Sequence, residues 1–391
     1  MTPPTLAALF GAFFRVGLTS FGMAILQNLR TAALRRGFVS EAEIEEGIAL
    51  VQLYPGPIMV DLVAFIGYRR RGPWGAIFAV AGFLLPATVL MLVLAAAYRR
   101  YGNLPQVAAM LPGLTALVIG VVLSVTLDIA RKNVTRRKDV LLALLAFTVG
   151  ALGGNMLWAV TAGIGIGAAG WRHEADHAVA KVTAALSWRR LGPPLLLGAG
   201  LVVIAFALAF TSGSGDGPGD MALVFMKIGS IAFGNAATIL PVMQQAVVEQ
   251  HRWLDGPQFA AAIAFGQITP GPMLNSATFV GYQVAGLAGA LASTAAIFAP
   301  SVVMTMIFTE LFAHVRHLAP IRAAIRGVMA AFVGMLAWVG ISLGQPLADR
   351  PVAWLFVAAT VVALRTLKWD TVRLFAVGLL LWAAALNAGL A

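Results

Sequence analysis

The sequence predicts an all-α polytopic membrane protein of about 13 transmembrane segments, arranged as two inverted-topology repeats with helices broken at Pro-Gly-Pro. Three observations carry that prediction. Of 391 residues, 60% are apolar and 11% charged, with a mean hydropathy of +0.87, whereas soluble domains carry about 25% charged residues. Apolar runs of the length that crosses a bilayer, about 18 residues or more, recur from end to end, among them 74–97, 104–127, 194–210 and 374–386 with its flanks. Finally, VQLYPGPIMV at 51–60 returns as FGQITPGPML at 265–274, so a helix breaker stands twice inside an apolar segment. Strands are not expected, because an open sheet edge in lipid leaves backbone groups unsatisfied.

The chain opens MTPPTLAALFGAFF, without the basic start and small-residue cleavage site of a signal peptide, so the first span is expected to remain. The absence of cysteine excludes disulfides, thiol redox chemistry and Cys-ligated metals. A net charge of +11 reads as Lys and Arg marking cytoplasmic loops, and no nucleic-acid partner is expected.

Two homologous halves follow from an ordered set of matches. Arg15, Gly17, Phe21 and Gly22 match Lys227, Gly229, Phe233 and Gly234 at a shift of 212. Ala49, Gln52, Pro55, Gly56 and Pro57 match Ala264, Gln267, Pro270, Gly271 and Pro272 at 215. Phe65, Gly67, Tyr68, Gly75, Pro86, Gly113 and Gly120 match Phe279, Gly281, Tyr282, Gly289, Pro300, Gly327 and Gly334 at 214. The expected organisation is a first transmembrane repeat at 1–170, a cytoplasmic linker plus one inverting span at 171–220, and a second repeat at 221–391.

Basic residues orient the halves. Arg69, Arg70 and Arg71 follow the first Pro-Gly-Pro segment, while the matching 283–286 is uncharged. Arg131, Lys132, Arg136, Arg137 and Lys138 correspond to 345–350, which holds one Arg and one Asp. The bias weakens between them, where Arg99 and Arg100 correspond to a turn with His314, Arg316 and His317. By the positive-inside rule the halves are opposite in topology, with the N-terminus cytoplasmic and the C-terminus external. An even number of spans per half needs one inverting span, and 195–210 supplies it. The first two segments of each half either span or re-enter; parity holds in both cases.

Inverted repeats with interrupted helices point to a transporter's binding site. Pro57 and Pro272 suit a helix first turn, and Gly56 and Gly271 let the chain bend before it. Free N–H groups near 58–60 and 273–275 then face protein or a polar cavity, and their dipole ends favour an anion. Arg15 and Lys227 fall at matched positions in apolar stretches, where a cation has a partner or a role unless it snorkels. Gln52 and Gln267 precede the breaks, where an amide donates to an oxyanion or packs between helices. Thr19 and Ser230 share a face with their cations, and Asn235, Thr238, Asn275 and Ser276 add polar groups that serve as contacts or as interhelical glue. Two cations and two helix N-termini describe a site for a small dianion.

Energy coupling is expected from an ion gradient or exchange, since no G-x-x-x-x-G-K-[ST] loop occurs. Asp61, matched by Asn275 or Ser276, is the proton-coupling candidate, with an ion pair to Arg15 or Lys227 as the alternative. His173-Glu174-Ala175-Asp176-His177 fits the zinc-protease H-E-x-x-H and defines an intramembrane metalloprotease as a rival reading. It lies in a charged linker without an evident third ligand, so no enzyme activity, metal or cofactor is expected. A passive anion channel is the other rival.

The segments FFRVGLTSFG with VQLYPGPIMVDLVAFIG, then FMKIGSIAFG with GQITPGPMLNSATFVG, resemble the chromate ion transporter family in its long, two-half form. The resemblance covers nearly the whole chain. It implies a multi-pass carrier of the inner (plasma) membrane that exports chromate, a tetrahedral dianion similar to sulfate. The lipid bilayer is the other expected partner, and a homodimer is compatible with the sequence. The family commonly reads Phe-Gly-Gly-Pro where this chain has Phe21-Gly22-Met23-Ala24 and Phe233-Gly234-Asn235-Ala236, a departure that bears on the substrate more than on the fold.

Overall fold

The structure, a computed structural model, describes residues 4–20, 24–170, 188–211, 216–234, 236–315 and 319–390. The linker motif at 173–177 and Asn235 lie outside the described residues. Helices dominate: α1 (Leu6–Thr19), α2 (Ala24–Arg35), α3 (Glu41–Leu50), α4 (Ile58–Tyr101), α5 (Pro105–Asn133), α6 (Arg137–Ala151), α7 (Met156–Gly170), α8 (Trp188–Thr211) and α9 (Pro218–Ser230). They are followed by α10 (Leu240–Gln244), which runs on as a π-helical turn over Gln245–Gln250, α11 (Gly256–Ile268), α12 (Ser276–Val315), α13 (Ala319–Gly344), α14 (Pro351–Arg365) and α15 (Thr371–Asn387). Five are long and apolar enough to cross a membrane, within Ile58–Tyr101, Pro105–Asn133, Arg190–Ala207, Met273–Phe312 and Ala323–Leu347. Leu6–Thr19, Met156–Ala169, Pro351–Arg365 and Thr371–Asn387 are shorter and apolar.

The chain forms two compact units, and each draws on both sequence halves. One comprises Met1–Val93, Asp176–Ala236 and Thr269–Leu318; the other comprises Leu94–Ala175, Ala237–Ile268 and Ala319–Ala391.

In the first unit, contacts between helix ends show how the opening segments of half one fold back on themselves. Arg70 reaches Glu43 at 2.7 Å and Arg69 reaches Glu46 at 3.0 Å, both pairs centred on the Gly56-Pro57 turn. So α3 and the first arm of α4 run antiparallel, as a hairpin whose tip is the Pro-Gly-Pro break. The α3 start is held by a capping box of Ser40 and Glu43. Partial burial pushes the Glu43 carboxyl up, but the Ser40 backbone N–H, the Arg70 guanidinium and the Ser40 hydroxyl together hold it below the usual range. A second hairpin precedes it. Asn28 donates to Ser20 Oγ at 2.9 Å and the Phe13 and Phe38 rings lie 6.3 Å apart, folding α2 back along α1. Arg30 closes its base against Glu41 and Glu45.

Helix α4 turns sharply at Arg71 (φ −141°, ψ 22°) and Gly72 (φ 60°, ψ −151°). The same turn recurs in α12, at Ala285 (φ −123°, ψ 23°) and Gly286 (φ 61°, ψ −148°). Only glycine adopts that second conformation without strain. Across each turn Gly67 meets Gly75 and Gly281 meets Gly289, backbones that a straight helix would hold about 12 Å apart. The arm before the first turn, 58–70, is about 20 Å long, short of the roughly 30 Å hydrocarbon core. Gly17 and Gly229 pack against the backbones of Phe83 and Ile297, which places α1 on α4 and α9 on α12 in the same register.

One expectation is corrected. Gly56–Pro57 (β1) and Phe233–Gly234 (β2) form a two-residue parallel sheet, Gly56 opposite Phe233 and Pro57 opposite Gly234. The physical reason is the one that argued against strands. A broken helix exposes backbone donors and acceptors that need partners away from water, and two breaks supply each other's. Half two does the same in reverse, its Gly271 N–H donating to the Ser20 carbonyl at 3.3 Å. Each Pro-Gly-Pro tip thus meets the first broken segment of the other half.

The second unit is also built by exchange. Helix α5 packs on α14 and α15, and α13 packs on α6 and α7. Gly120 of α5 meets Thr360 of α14, while its match Gly334 meets the Ala143 backbone of α6. Trp382 is sealed, its Nε1–H donating to the Ala109 carbonyl at 3.0 Å. Asp139, fully buried, accepts from the Thr135 and Arg136 N–H groups and from Arg326, each at 3.0 Å. Arg326→Ala is expected to destabilise the protein by about 2–3 kcal/mol, because a desolvated carboxylate loses its charged partner but keeps two N–H donors. Thermal unfolding in detergent checks this, with Arg326→Lys intermediate; an unchanged melting temperature would mean the backbone donors suffice.

Candidate functional site

The site grows from the first hairpin tip. Asp61 stands in the first turn of α4 and is fully buried. A Cβ on Gly56 would overlap the Asp61 carboxylate, so this glycine is required for room. Ser301 and Thr305, one turn apart on α12, approach the same carboxylate and are themselves fully buried. Tyr54, 2% exposed, joins its hydroxyl to Thr305 Oγ1 at 2.7 Å and stacks obliquely on Phe308 at 4.8 Å. Neither carboxylate oxygen of Asp61 has a hydrogen-bond partner. Among the described residues Asp61 pairs with neither Arg15 nor Lys227, the ion pairs the sequence left open.

The second tip is related but differently equipped. Gly271 takes φ 103°, where a side chain is strained. Pro272 precedes the 3-10 turn Met273–Asn275, and the Asn275 N–H, one of those expected to be free, donates to the Pro272 carbonyl at 3.0 Å. The buried Asn275 side chain points its amide at Thr88 Oγ1 across a long 3.5 Å, and its Oδ1 is unpartnered. At the positions matching Ser301 and Thr305, 214 residues earlier, stand Ala87 and Met91. The second tip therefore has neither the acid nor the matched hydroxyl pair of the first.

The other candidates are dispersed over different environments. Arg15, Thr19, Gln52 and Lys227 are exposed, while Ser230 and Gln267 are half-buried. Thr19 and Ser230 donate to their own helices, to the Arg15 and Met226 carbonyls, each at 2.8 Å. Gln267 belongs to the second compact unit, Pro270, Gly271 and Pro272 to the first. Among the described residues no acidic group pairs with Arg15 or Lys227. Sequence reasoning missed Tyr54, Ser301 and Thr305. The available signal was the i, i+4 hydroxyl pair after Pro300, which has no equivalent after Pro86.

This doubled arrangement has relatives. Residues 7–171 and 219–386 match the chromate transporter family. The chain belongs to that family. The apolar helices of this chromate transporter family member make it a multi-pass membrane protein. The chromate transport protein of Cupriavidus metallidurans is 30% identical over 379 residues, covering 93% of this chain and 89% of the relative. A probable chromate transport protein of Synechococcus elongatus is 30% identical over 353 residues, 87% and 85% of the two chains. The chromate transport protein of Pseudomonas aeruginosa is 26% identical over 363 residues, 89% and 83%. No solved structure matches.

Proposed function

We propose that the chain is a secondary active transporter that exports a tetrahedral oxyanion, chromate or a sulfate-like dianion, across the plasma membrane. It is driven by an ion gradient or by exchange. The observation that carries the reading is the reciprocal meeting of hairpin tips, Gly56-Pro57 with Phe233-Gly234 and Gly271 with Ser20. Breaks at membrane depth, supplied by two repeats and joined to each other, are how carriers build a central substrate site. Arg15 and Lys227, two turns or less from those tips on α1 and α9, supply the charge; Gln52, Gly56, Pro57, Gly271, Pro272, Thr19, Ser230 and Asn275 complete the candidate lining. Asp61, unpaired and desolvated, is the coupling residue, the role an intramembrane carboxylate takes in a proton-driven carrier.

The repeats are inverted in this reading, with the N-terminus cytoplasmic and the C-terminus external. Counting the four opening hairpins as re-entrant leaves about nine crossings, and the parity is that of 13. Contacts support the assignment: Arg326 meets Asp139, Arg365 meets Asp128 at 3.3 Å, and Tyr68 meets Glu310 at 3.1 Å. All six residues belong to cytoplasmic ends under this topology. Because the chain has no cysteine, single cysteines at Arg70 and Gln283 report cleanly. They are expected to label from opposite sides of oriented vesicles, and labelling from one side would refute inversion.

Counterflow in proteoliposomes tests the function. Chromate loaded inside should accelerate saturable uptake of labelled chromate, with sulfate competing. Unsaturable flux without trans-acceleration would mean a channel, and absent chromate flux would end the proposal.

A further inference from the structure

Hydroxyl oxygens gather around the buried Asp61 carboxylate. Ser301 and Thr305 lie against the carboxylate, yet Ser301 Oγ donates to the Phe298 carbonyl at 3.1 Å and Thr305 Oγ1 to the Ser301 carbonyl at 2.8 Å. A hydroxyl has one proton, and protons given to those carbonyls leave hydroxyl lone pairs available to a cation beside Asp61. With the Thr305 proton committed, the Tyr54 hydroxyl donates its own proton to Thr305 Oγ1 at 2.7 Å and fixes that arrangement. Both carboxylate oxygens of Asp61 are buried without a hydrogen-bond partner. Lone pairs gathered on a buried carboxylate repel one another. A small cation among them makes every contact attractive.

We propose that Asp61, Ser301 and Thr305, with Tyr54 holding Thr305 in place, form a sodium-ion site at the first Pro-Gly-Pro tip. The charge selects a monovalent ion, because the cluster offers a single carboxylate. Carboxylate and hydroxyl oxygens are hard ligands, unsuited to soft transition metals. The site is one-sided: Asn275, Ala87 and Met91 replace the acid and both hydroxyls at the matched positions. A carrier coupled to one ion needs one such site.

The inference rests on the reading of Asp61 as the coupling residue and names its ion as sodium, where a carboxylate alone would suggest a proton. Binding of radioactive sodium to the purified full-length protein, without any oxyanion, tests the site directly. Asp61→Asn is expected to abolish binding. Thr305→Val is expected to weaken it about tenfold by deleting one ligand at constant shape, with Thr305→Ser near the parent. In proteoliposomes at fixed pH, chromate flux should follow a sodium gradient. Failure of the parent to bind sodium, binding that survives Asp61→Asn, or flux that follows a pH gradient with sodium absent from both sides would each overturn the site. Sodium binding that behaves as expected in a protein without chromate flux would uphold the site and sink the carrier reading instead.

Discussion

Gly56→Ala is expected to abolish transport while the protein still inserts. The added methyl has nowhere to go, because it falls on the Asp61 carboxylate and Asp61 sits in a fully buried corner. Relief requires either swinging the acid away from Ser301 and Thr305 or opening the pairing of Gly56 with Phe233. Both disturb the tip, and overpacking of this kind costs about 1–3 kcal/mol even where neighbours yield. Gly11→Ala is the control. A Cβ there meets nothing within 4 Å, and alanine gains up to about 1 kcal/mol over glycine in a helix. Uptake per unit of inserted protein decides the matter: Gly56→Ala at parental flux would mean that Asp61 moves aside without consequence and has no fixed role. Gly271→Ala is impaired for another reason, the φ of 103° that alanine resists.

Arg15→Gln and Lys227→Gln are each expected to weaken oxyanion binding by about 1.5–3 kcal/mol, the range for a charge-assisted hydrogen bond. That is roughly a 10- to 150-fold loss. Both cations are exposed on short helices that end at a tip, and among the described residues neither is neutralised by an acid. An unneutralised cation on a membrane-embedded face needs a cavity, headgroups or an anion. Arg15→Lys should keep part of the affinity, since the charge survives while the forked donor is lost. Competition binding of chromate against sulfate separates affinity from turnover. Parental affinity in both glutamine variants would leave the two residues as snorkelling cations.

Much of this protein is local and therefore legible in one dimension. The doubled break, the matched Arg15 and Lys227 and the extra apolar segment that became α8 follow from residue order, because each depends on neighbours a few positions away. The short length of the opening helices was less legible. Apolar residues continue through the breaks, so composition alone does not show where the chain turns back; the ion pairs Arg70–Glu43 and Arg69–Glu46 show that α3 and the first arm of α4 are antiparallel. The expectation of no strands failed at the tips, where two interrupted segments complete each other.

What only the tertiary structure decided is which half serves which. Tyr54 and Thr305 stand 251 residues apart, and Gly56 pairs with Phe233 rather than with its own repeat match. The sequence by itself determined that there are two units of one design, with a polar, breakable centre and one unmatched acid. It could not determine the company of that acid. Periodicity reports the face a residue occupies on its own helix, while the partner across the gap is set by how two distant segments bury their backbone groups together.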